Sequence, residues 1–516
     1  MSGEPKCGYS MMYSLDTHAL RGQPVIVGAG VAGLLTALRL GDRPCVIVSA
    51  AEKPGAGMLA SGVGKALGRD ETIADRAAKT LISGAGLASP EVVQRITNAM
   101  PHAFESLARV GVALDTHDSG AALHAALLAK LRDRPNVTIV APAMLRRLTI
   151  IDGHVRGVSL DVGERLLAID TNIVILACGG ACGLFPDALT QGSGIGAGMA
   201  VAARAGVDFS DLELIYFHPL TLDEGDAWST GVYAPVEFCN YGVLFDDAGC
   251  RLNVDQLDPG LLARDIAVRR AQGRTVFFDI TRILATDGPK RDPALNAMVQ
   301  RCLARGFDPK KQALPVRPAA AFQIGGVKVD TAGRSSIPGL WACGEIACTG
   351  FHGASISAGN PLLEAVVCSG FVVESVLSAP SSPLCDVSGV RPDRAPLHRQ
   401  LSAVRKAFRN ALGPIRNRAG VLRELDALAR CSGYDDAALM GCLTMISALM
   451  RQESRGAHYR SDFQQRDAVA RHSVLTEADM RSIVRTIGRN HFGPTSGDAQ
   501  MLGGVLARDV DFASRL

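Results

Sequence analysis

Hydrophobic residues along the chain follow two rhythms, and the switches between them predict the elements. Val25-Ile-Val27, three apolar β-formers, runs into glycines and then into an alanine- and leucine-rich helix; a second strand, Cys45-Val-Ile-Val-Ser-Ala50, follows. Residues 51–68 are glycine-rich and read as a loop holding Ala60-Ser-Gly-Val-Gly64. Helical spacing returns over 70–110, in two helices broken at Gly84-Ala-Gly86, and again over Ala121–Leu131. Val137–Val140 and Leu145–Leu160 read as short strands, the latter bent at Asp152-Gly153. Ile173-Val-Ile-Leu-Ala-Cys-Gly-Gly180 is a buried strand ending in glycines, and Gly192–Gly206 is a helix start of small residues. From Leu212 to about Ala319 the runs shorten and charge and proline increase, which reads as an insertion. Strand-and-glycine features resume at Gly325-Gly-Val-Lys-Val-Asp330 and Gly339-Leu-Trp-Ala-Cys-Gly-Glu345. Residues 378–397 carry several prolines and serines and read as a linker, and 398–516 show helical periodicity.

These patterns predict a discontinuous α/β domain, 1–211 with 320–377, an inserted domain over 212–319 and a helical domain over 398–516. A chain of 516 residues is too long for one core, which agrees with that division. A net charge of +3 gives no reason to expect nucleic acid or a membrane surface as partner. No apolar run is expected to reach bilayer length, and Met1–Gly22 has no signal-peptide core, so the expected location is the cytoplasm. The thirteen cysteines are scattered without a paired C-x-x-C spacing, so a metal site is not expected. Cys343 and Cys348 read as small buried thiols. The arginines of 405–423 read as the solvated face of a helix.

The chemistry begins at Val25-Ile-Val-Gly-Ala-Gly-Val-Ala-Gly-Leu34, a G-x-G-x-x-G set between a strand and a helix. Gly28 permits the tight turn, Gly30 admits a pyrophosphate to the backbone, and Gly33 lets helix and strand approach. The helix start supplies N–H groups and partial positive charge. The second strand ends at Ser49, with Glu52 close by, where an acidic residue often holds the ribose hydroxyls. Ser61 and Gly62 lie in a loop whose backbone can face a flat ring, and Gly179 is a second close crossing.

Several stretches together carry a resemblance. They are the glycine fingerprint, Asp211-Leu-Glu-Leu-Ile-Tyr-Phe-His-Pro219, Ala263-Arg-Asp265, Gly344-Glu-Ile-Ala-Cys-Thr-Gly-Phe-His-Gly-Ala354 with Asn360-Pro-Leu-Leu-Glu364, and Glu453-Ser-Arg-Gly-Ala-His-Tyr-Arg-Ser-Asp-Phe463. In this order the set resembles the L-aspartate oxidases of the fumarate reductase and succinate dehydrogenase flavoprotein family, over nearly the whole chain. The resemblance implies a Rossmann-like FAD-binding domain, an inserted capping domain that closes substrate against the flavin, and a C-terminal helical domain. It implies hydride transfer from a small-molecule substrate to flavin N5. It places Glu345 on the ribityl hydroxyls beside Gly344, and Asn360, Pro361 and Leu362 with their backbone at the flavin N1–C2=O edge. Residues 51–68 contain no histidine of the kind that carries flavin covalently in some relatives, so FAD is expected to be non-covalent. Oxygen, fumarate and quinone stay open as electron acceptors.

His218 and Arg264 match the family's catalytic positions, and His352 and Ser355 stand in its substrate loop. Arg264 reads either as the group handling a proton or as a carboxylate anchor, or as a structural ion pair with Asp265. Trp228 and Tyr233 read as lining the entrance or as packing of the cap. Elsewhere the pattern departs from the family. Phe322 falls where the family has a histidine, Ile356 where an arginine clamps a carboxylate, and Ala197 where an aspartate precedes the long helix. The R-G-E-G segment reads Cys239-Asn-Tyr-Gly242, and a family loop is missing between Asp115 and Ser119-Gly120. Losing a bidentate arginine and a histidine removes charge-assisted bonds of about 1.5–3 kcal/mol each. The expected substrate therefore carries one carboxylate or none, with an apolar or larger substituent. The alternatives are a genuine L-aspartate oxidase, making iminoaspartate for NAD biosynthesis, and a flavin-binding partner protein without turnover.

Overall fold

The computed structural model describes residues 16–51, 71–109, 111–112, 120–163, 165–189, 194–225, 232–254, 258–285, 293–387, 389–390 and 399–492. The expectations placed on Glu52, Ser61, Gly62, Asp115 and Trp228 lie outside these residues.

Five parallel strands form the first sheet: β1 (Val25–Val27), β2 (Cys45–Val48), β3 (Val137–Val140), β7 (Val174–Leu176) and β14 (Leu340–Ala342), in the order β14-β7-β1-β2-β3. Val25, Ile26, Val46, Ile47, Val174 and Ile175 are fully buried, as both-face coverage of a parallel sheet requires. Helix α1 (Val31–Arg39) lies in the core of one face; α2 (Ile73–Ser83) packs on α3 (Pro90–Arg109), which joins that core with α4 (Gly120–Arg132). β4 (Met144–Ile151), β5 (His154–Val162) and β6 (Arg165–Asp170) make an antiparallel meander, turned at Asp152-Gly153. The short helix α5 (Ala197–Arg204) precedes β8 (Phe209–Ser210).

The inserted segment is a four-stranded antiparallel sheet of β10 (Val243–Asp246), β11 (Val276–Asp279), β12 (Leu314–Gln323) and β9 (Ile215–Leu222), in that order. Its helices are α6 (Pro259–Ala271), α7 (Thr281–Ala285) and α8 (Pro293–Leu303). Asp258 caps α6 by accepting from the N–H groups of Gly260 and Leu261, and Pro259 fits the first turn, where no donor is needed. A further sheet has the order β15-β13-β8-β16, from β15 (Ala347–Cys348), β13 (Gly326–Lys328), β8 and β16 (Val474–Leu475). The C-terminal part thus lends a strand to the sheet at the mouth of the insertion.

α9 (Asn360–Leu377) corrects one expectation. Its 18 residues, mean hydropathy 1.4, are long and apolar enough to cross a bilayer by length and composition alone. It packs on α1 and α3 with Leu363, Val366 and Val372 fully buried, the place of a core helix. The remaining helices are α10 (Leu401–Ala411), α11 (Arg418–Ala429), α12 (Asp436–Met450) and α13 (Glu477–Phe492). α12 is buried almost all round, so it forms the centre of this group.

The solvated-face reading of the 405–423 arginines is also corrected at Arg416, which is 1 % exposed. Its Nη1 donates to Glu213 O at 2.6 Å and to His458 Nδ1 at 2.9 Å, and its Nε donates to Gly413 O at 3.0 Å. Arg409, Arg418 and Arg423 are exposed, so the departure lies at Arg416, whose guanidinium meets carbonyls and an imidazole in place of water. Cys343 and Cys348 are buried, as expected, and burial pushes the Cys343 thiol up to about 11.

A buried ion cluster joins the segment before β9 to the segment after α12. Arg451 donates from Nη2 to Asp211 at 3.0 Å, from Nε to Glu213 at 2.5 Å and from Nη1 to Glu453 at 2.9 Å. Arg455 shares Glu453 at 2.8 Å, Ser473 donates to Glu213 at 2.8 Å, and His472 Nδ1 meets Asp211 at 2.5 Å. Removing one member of such a set strands the others in low dielectric, so Arg451→Met should cost about 3–5 kcal/mol. A large drop in the unfolding temperature, with Arg430→Met as an exposed control, checks this. The hydrogen bond to Asp211 raises the His472 pKa above its ordinary value. A raised folded pKa adds stability fully present below the unfolded pKa and lost as pH climbs through the folded one. The stability difference between wild type and His472→Gln should therefore shrink as pH rises above neutrality, as unfolding midpoints over a pH series would show.

Candidate functional site

The three glycines after β1 divide by what surrounds them. A Cβ on Gly28 would lie 2.3 Å from Ala177 O, and Gly28 itself has φ +116. A Cβ on Gly33 would lie 2.0 Å from Gly28 O. Both are closed against backbone. A Cβ on Gly30 would meet nothing nearer than Ala177 O at 4.0 Å. That leaves open space at the N-cap of α1, where no side chain caps the helix. Gly179, with φ +79, is open in the same sense, its nearest neighbour being Glu345 Oε2 at 3.9 Å. An open cradle at an uncapped helix start suits a pyrophosphate. Ser49 is buried and its hydroxyl donates to Ala51 O at 3.1 Å, which leaves it acceptor capacity alone toward a ribose. Buried His124 fixes the same turn through Nε2 to Ala29 O at 2.7 Å.

Glu345 follows β14 after Gly344, whose φ is +72. Its Oε1 accepts from Gln323 N at 3.0 Å, and packing around the carboxyl raises its pKa. The Gln323 side chain accepts from Ala181 N at 2.8 Å, so the end of β12 is tied to the loop after β7. α9 begins after Gly359, φ +83. Here the backbone expectation needs correcting for two of its three residues. Pro361 has no N–H, and Asn360 N–H is spent on Ser357 O at 3.1 Å. Leu362 N–H has no backbone partner among the described residues. The Asn360 side chain is held by α2: its Nδ2 donates to Thr80 at 2.8 Å and its Oδ1 accepts from Arg76 at 3.3 Å. Arg76 also donates to Ala358 O at 2.7 Å. Sequence reasoning passed over both; their four-residue spacing, which puts them on one helix face, was the available signal.

β9 and β12 carry the substrate-side candidates. Period two puts Tyr216 and His218 on one face of β9, and Phe322 pairs with Tyr216 across the ladder. Burial pulls the His218 pKa down to about 3, so the ring is neutral. Its Nδ1 accepts from Leu220 N at 3.3 Å, which leaves the proton on Nε2. The Tyr233 ring lies 4.7 Å from the His218 ring. Arg264, on α6, does not pair with Asp265, which Arg269 holds at 3.1 Å. Its guanidinium carbon lies 4.7 Å from the Tyr459 ring centre, and burial lowers its pKa.

Phe322 and Ile356 pack against the same small apolar cluster: Leu87, Leu214, Tyr216, Ile324 and Ala354. His352 sits at its edge, 4 % exposed, its ring 5.2 Å from that of Phe322. Its Nε2 is bound to Glu364 Oε2 at 3.0 Å, and Nδ1 has no hydrogen-bond partner among the described residues. Ser355 is half-buried between Ala354 and Ile356. Arg455 comes as near as Ala85, a neighbour of this cluster, but its Nη1 is taken by Ala85 O, its Nε by Glu453 and its Nη2 by Asp467 O. Cys239 is buried in the cluster of the inserted sheet, and Ala197 opens α5.

The glycine geometry gives a sharp expectation. Gly30→Ala should fold and retain less FAD, whereas Gly33→Ala should fail to fold, because its Cβ meets backbone that cannot move aside. Flavin absorbance per mole of purified chain, beside circular dichroism, separates the two.

Comparison with known proteins agrees with this arrangement. Residues 23–124 and 115–362 match the FAD binding domain family, and 424–487 match the fumarate reductase flavoprotein C-terminal family. The L-aspartate oxidase of Mesorhizobium japonicum is 36 % identical over 501 residues, covering 89 % of this chain and 96 % of that protein. That of Agrobacterium fabrum is 33 % identical, covering 89 % and 94 %. Among solved structures, a mutant flavoprotein chain of Escherichia coli quinol fumarate reductase superposes with TM-score 0.73 at 20 % identity, covering 88 % of this chain and 94 % of that one. Adenylylsulfate reductase of Archaeoglobus fulgidus gives 0.68 at 14 %, covering 88 % and 93 %. These two show the shared fold. With the FAD binding domain matched over most of the chain and relatives matched nearly end to end, the chain belongs to the L-aspartate oxidase-like FAD flavoproteins of the fumarate reductase and succinate dehydrogenase family.

Proposed function

We propose that this FAD-dependent oxidoreductase oxidises an amino acid, an amine or a related small acid that is not a dicarboxylate. In this reading residues 212–319 form the cap over the flavin, and the protein works in the cytoplasm. FAD, when bound, supplies the acceptor for the substrate hydride. Gly30, Gly179, Glu345 and the Leu362 N–H are the groups that would hold it, and the α9 start would favour negative charge at its N1 edge.

The chain's own residues do the gripping. Arg264 offers its two Nη groups, which have no hydrogen-bond partner among the described residues, to one carboxylate. Neutral His218 offers Nε2–H as a second donor, since Nδ1 is already an acceptor. Phe322 and Ile356 form an apolar wall that excludes water and leaves a second carboxylate without a partner. An unpaired carboxylate there would face the full cost of desolvation. The observation that carries the reading is that Phe322 and Ile356 pack on one cluster while Arg455 is saturated. The identity to curated L-aspartate oxidases favours the second reading, aspartate itself as substrate.

Mixing purified holoprotein anaerobically with L-amino acids, and following loss of the yellow absorbance, decides between them. Monocarboxylates with apolar side chains should bleach the flavin faster than L-aspartate does. Ile356→Arg with Phe322→His should improve L-aspartate by at least about tenfold, one charge-assisted bond's worth. Rapid peroxide release from L-aspartate by the unmodified protein in air would establish the second reading, with oxygen as acceptor. No bleaching by any donor would leave a flavin-binding partner protein.

A further inference from the structure

We infer that Tyr459 is the positioning residue for Arg264, holding the guanidinium plane so that its outer donors meet a carboxylate; the inference rests on the anchoring role assigned to Arg264 above. The two residues come from different parts of the fold. Arg264 stands on α6 of the inserted sheet, and Tyr459 lies in the loop after α12. Arg264 Cζ lies 4.7 Å from the centre of the Tyr459 ring. Among the described residues, the other hydrogen bond fixing the head group is Nε donating to Gly260 O, one turn back, at 3.2 Å. No carboxylate among the described residues bonds it: Asp265 is held by Arg269, and Asp258 caps the helix.

An aromatic shelf differs from a carboxylate in a way that matters here. A carboxylate would occupy the fork of the guanidinium and neutralise it. A ring face attracts the cation from below and leaves every edge donor available. The shelf is itself rigid. Tyr459 O accepts from Arg416 N at 3.1 Å, and the flanking His458 and Arg460 are fully buried. The start of α6 lies against the same loop, since a Cβ on Gly260 would come 3.6 Å from Gly456 O. Gly456 in turn abuts Ala354 O, where its Cβ would lie at 2.3 Å. One loop therefore references Arg264 to the Ala354–Ile356 wall of the chamber.

Benzoate, a monocarboxylate with an apolar body, titrated into FAD holoprotein and read by its perturbation of flavin absorbance, is the test. Tyr459→Phe should bind benzoate as wild type does. Tyr459→Leu should bind it about three- to tenfold more weakly, the range of a half-buried cation–π contact. Tyr459→Met, with similar bulk and no π-face, carries the same expectation should the leucine variant not fold. In an Arg264→Ala background the Tyr459 change should have no further effect, whereas a purely structural role would weaken binding equally in both. Wild-type affinity in the leucine or methionine variant, or equal weakening in both backgrounds, overturns the inference. Unchanged affinity in Arg264→Ala alone overturns the anchoring role instead, and is read before Tyr459 is touched.

Discussion

The pairing of Arg451 with Asp211, Glu213 and Glu453 is the constraint on which the rest of the molecule leans. Ionised groups this deeply buried persist only where partners replace water on every side. Asp211 and Glu213 lie just before β9, the strand that carries His218. Glu453 opens the loop that carries Arg455, Gly456 and Tyr459. Satisfying one guanidinium therefore fixes the origin of the substrate-side strand and the shelf beside it in one frame. Asp211 holds φ +57, a conformation a non-glycine residue rarely adopts, and its carboxyl contacts Arg451, His472 and the Ser473 N–H. So many contacts on one residue account for the tolerance of that backbone.

Local signals were legible wherever the cause was local. Gly28 and Gly33 were readable because a strand, a tight turn and a helix force them, and the helices broken at Gly84-Ala-Gly86 followed from spacing alone. What stayed hidden joins residues far apart in sequence. Arg416 is buried because it lies between α10 and α11, where Glu213 O, Gly413 O and His458 meet its guanidinium, partners that spacing along the chain does not show. α9 was misjudged because its apolar content is set by α1 and α3 on either side of it. Arg76, Thr80 and Tyr459 act through Asn360 and Arg264, partners that sequence position does not announce. The resemblance supplied the register for Phe322 and Ile356, and the structure added that both face one cluster.

The site proposed above is asymmetric in its chemistry. One side carries a half-buried guanidinium whose outer donors have no partner among the described residues, and an imidazole kept neutral by burial. The other carries a phenyl ring and a branched alkyl group on an apolar base. Hydrogen-bonded recognition is exacting because an unsatisfied partner is penalised, whereas apolar walls discriminate weakly among shapes. A site built this way selects firmly for what it binds at one end and tolerates variety at the other.

The sheet β15-β13-β8-β16 has a kinetic corollary. Phe209–Ser210 of β8 pairs with Val474–Leu475 of β16, so one strand waits for another far along the chain. Contacts of such long sequence separation close late, after the loop entropy between them has been spent. During synthesis the nascent flavin domain emerges with an unpaired strand edge, a state in which larger proteins aggregate. Closure of this sheet therefore requires that Val474–Leu475 has already been synthesised.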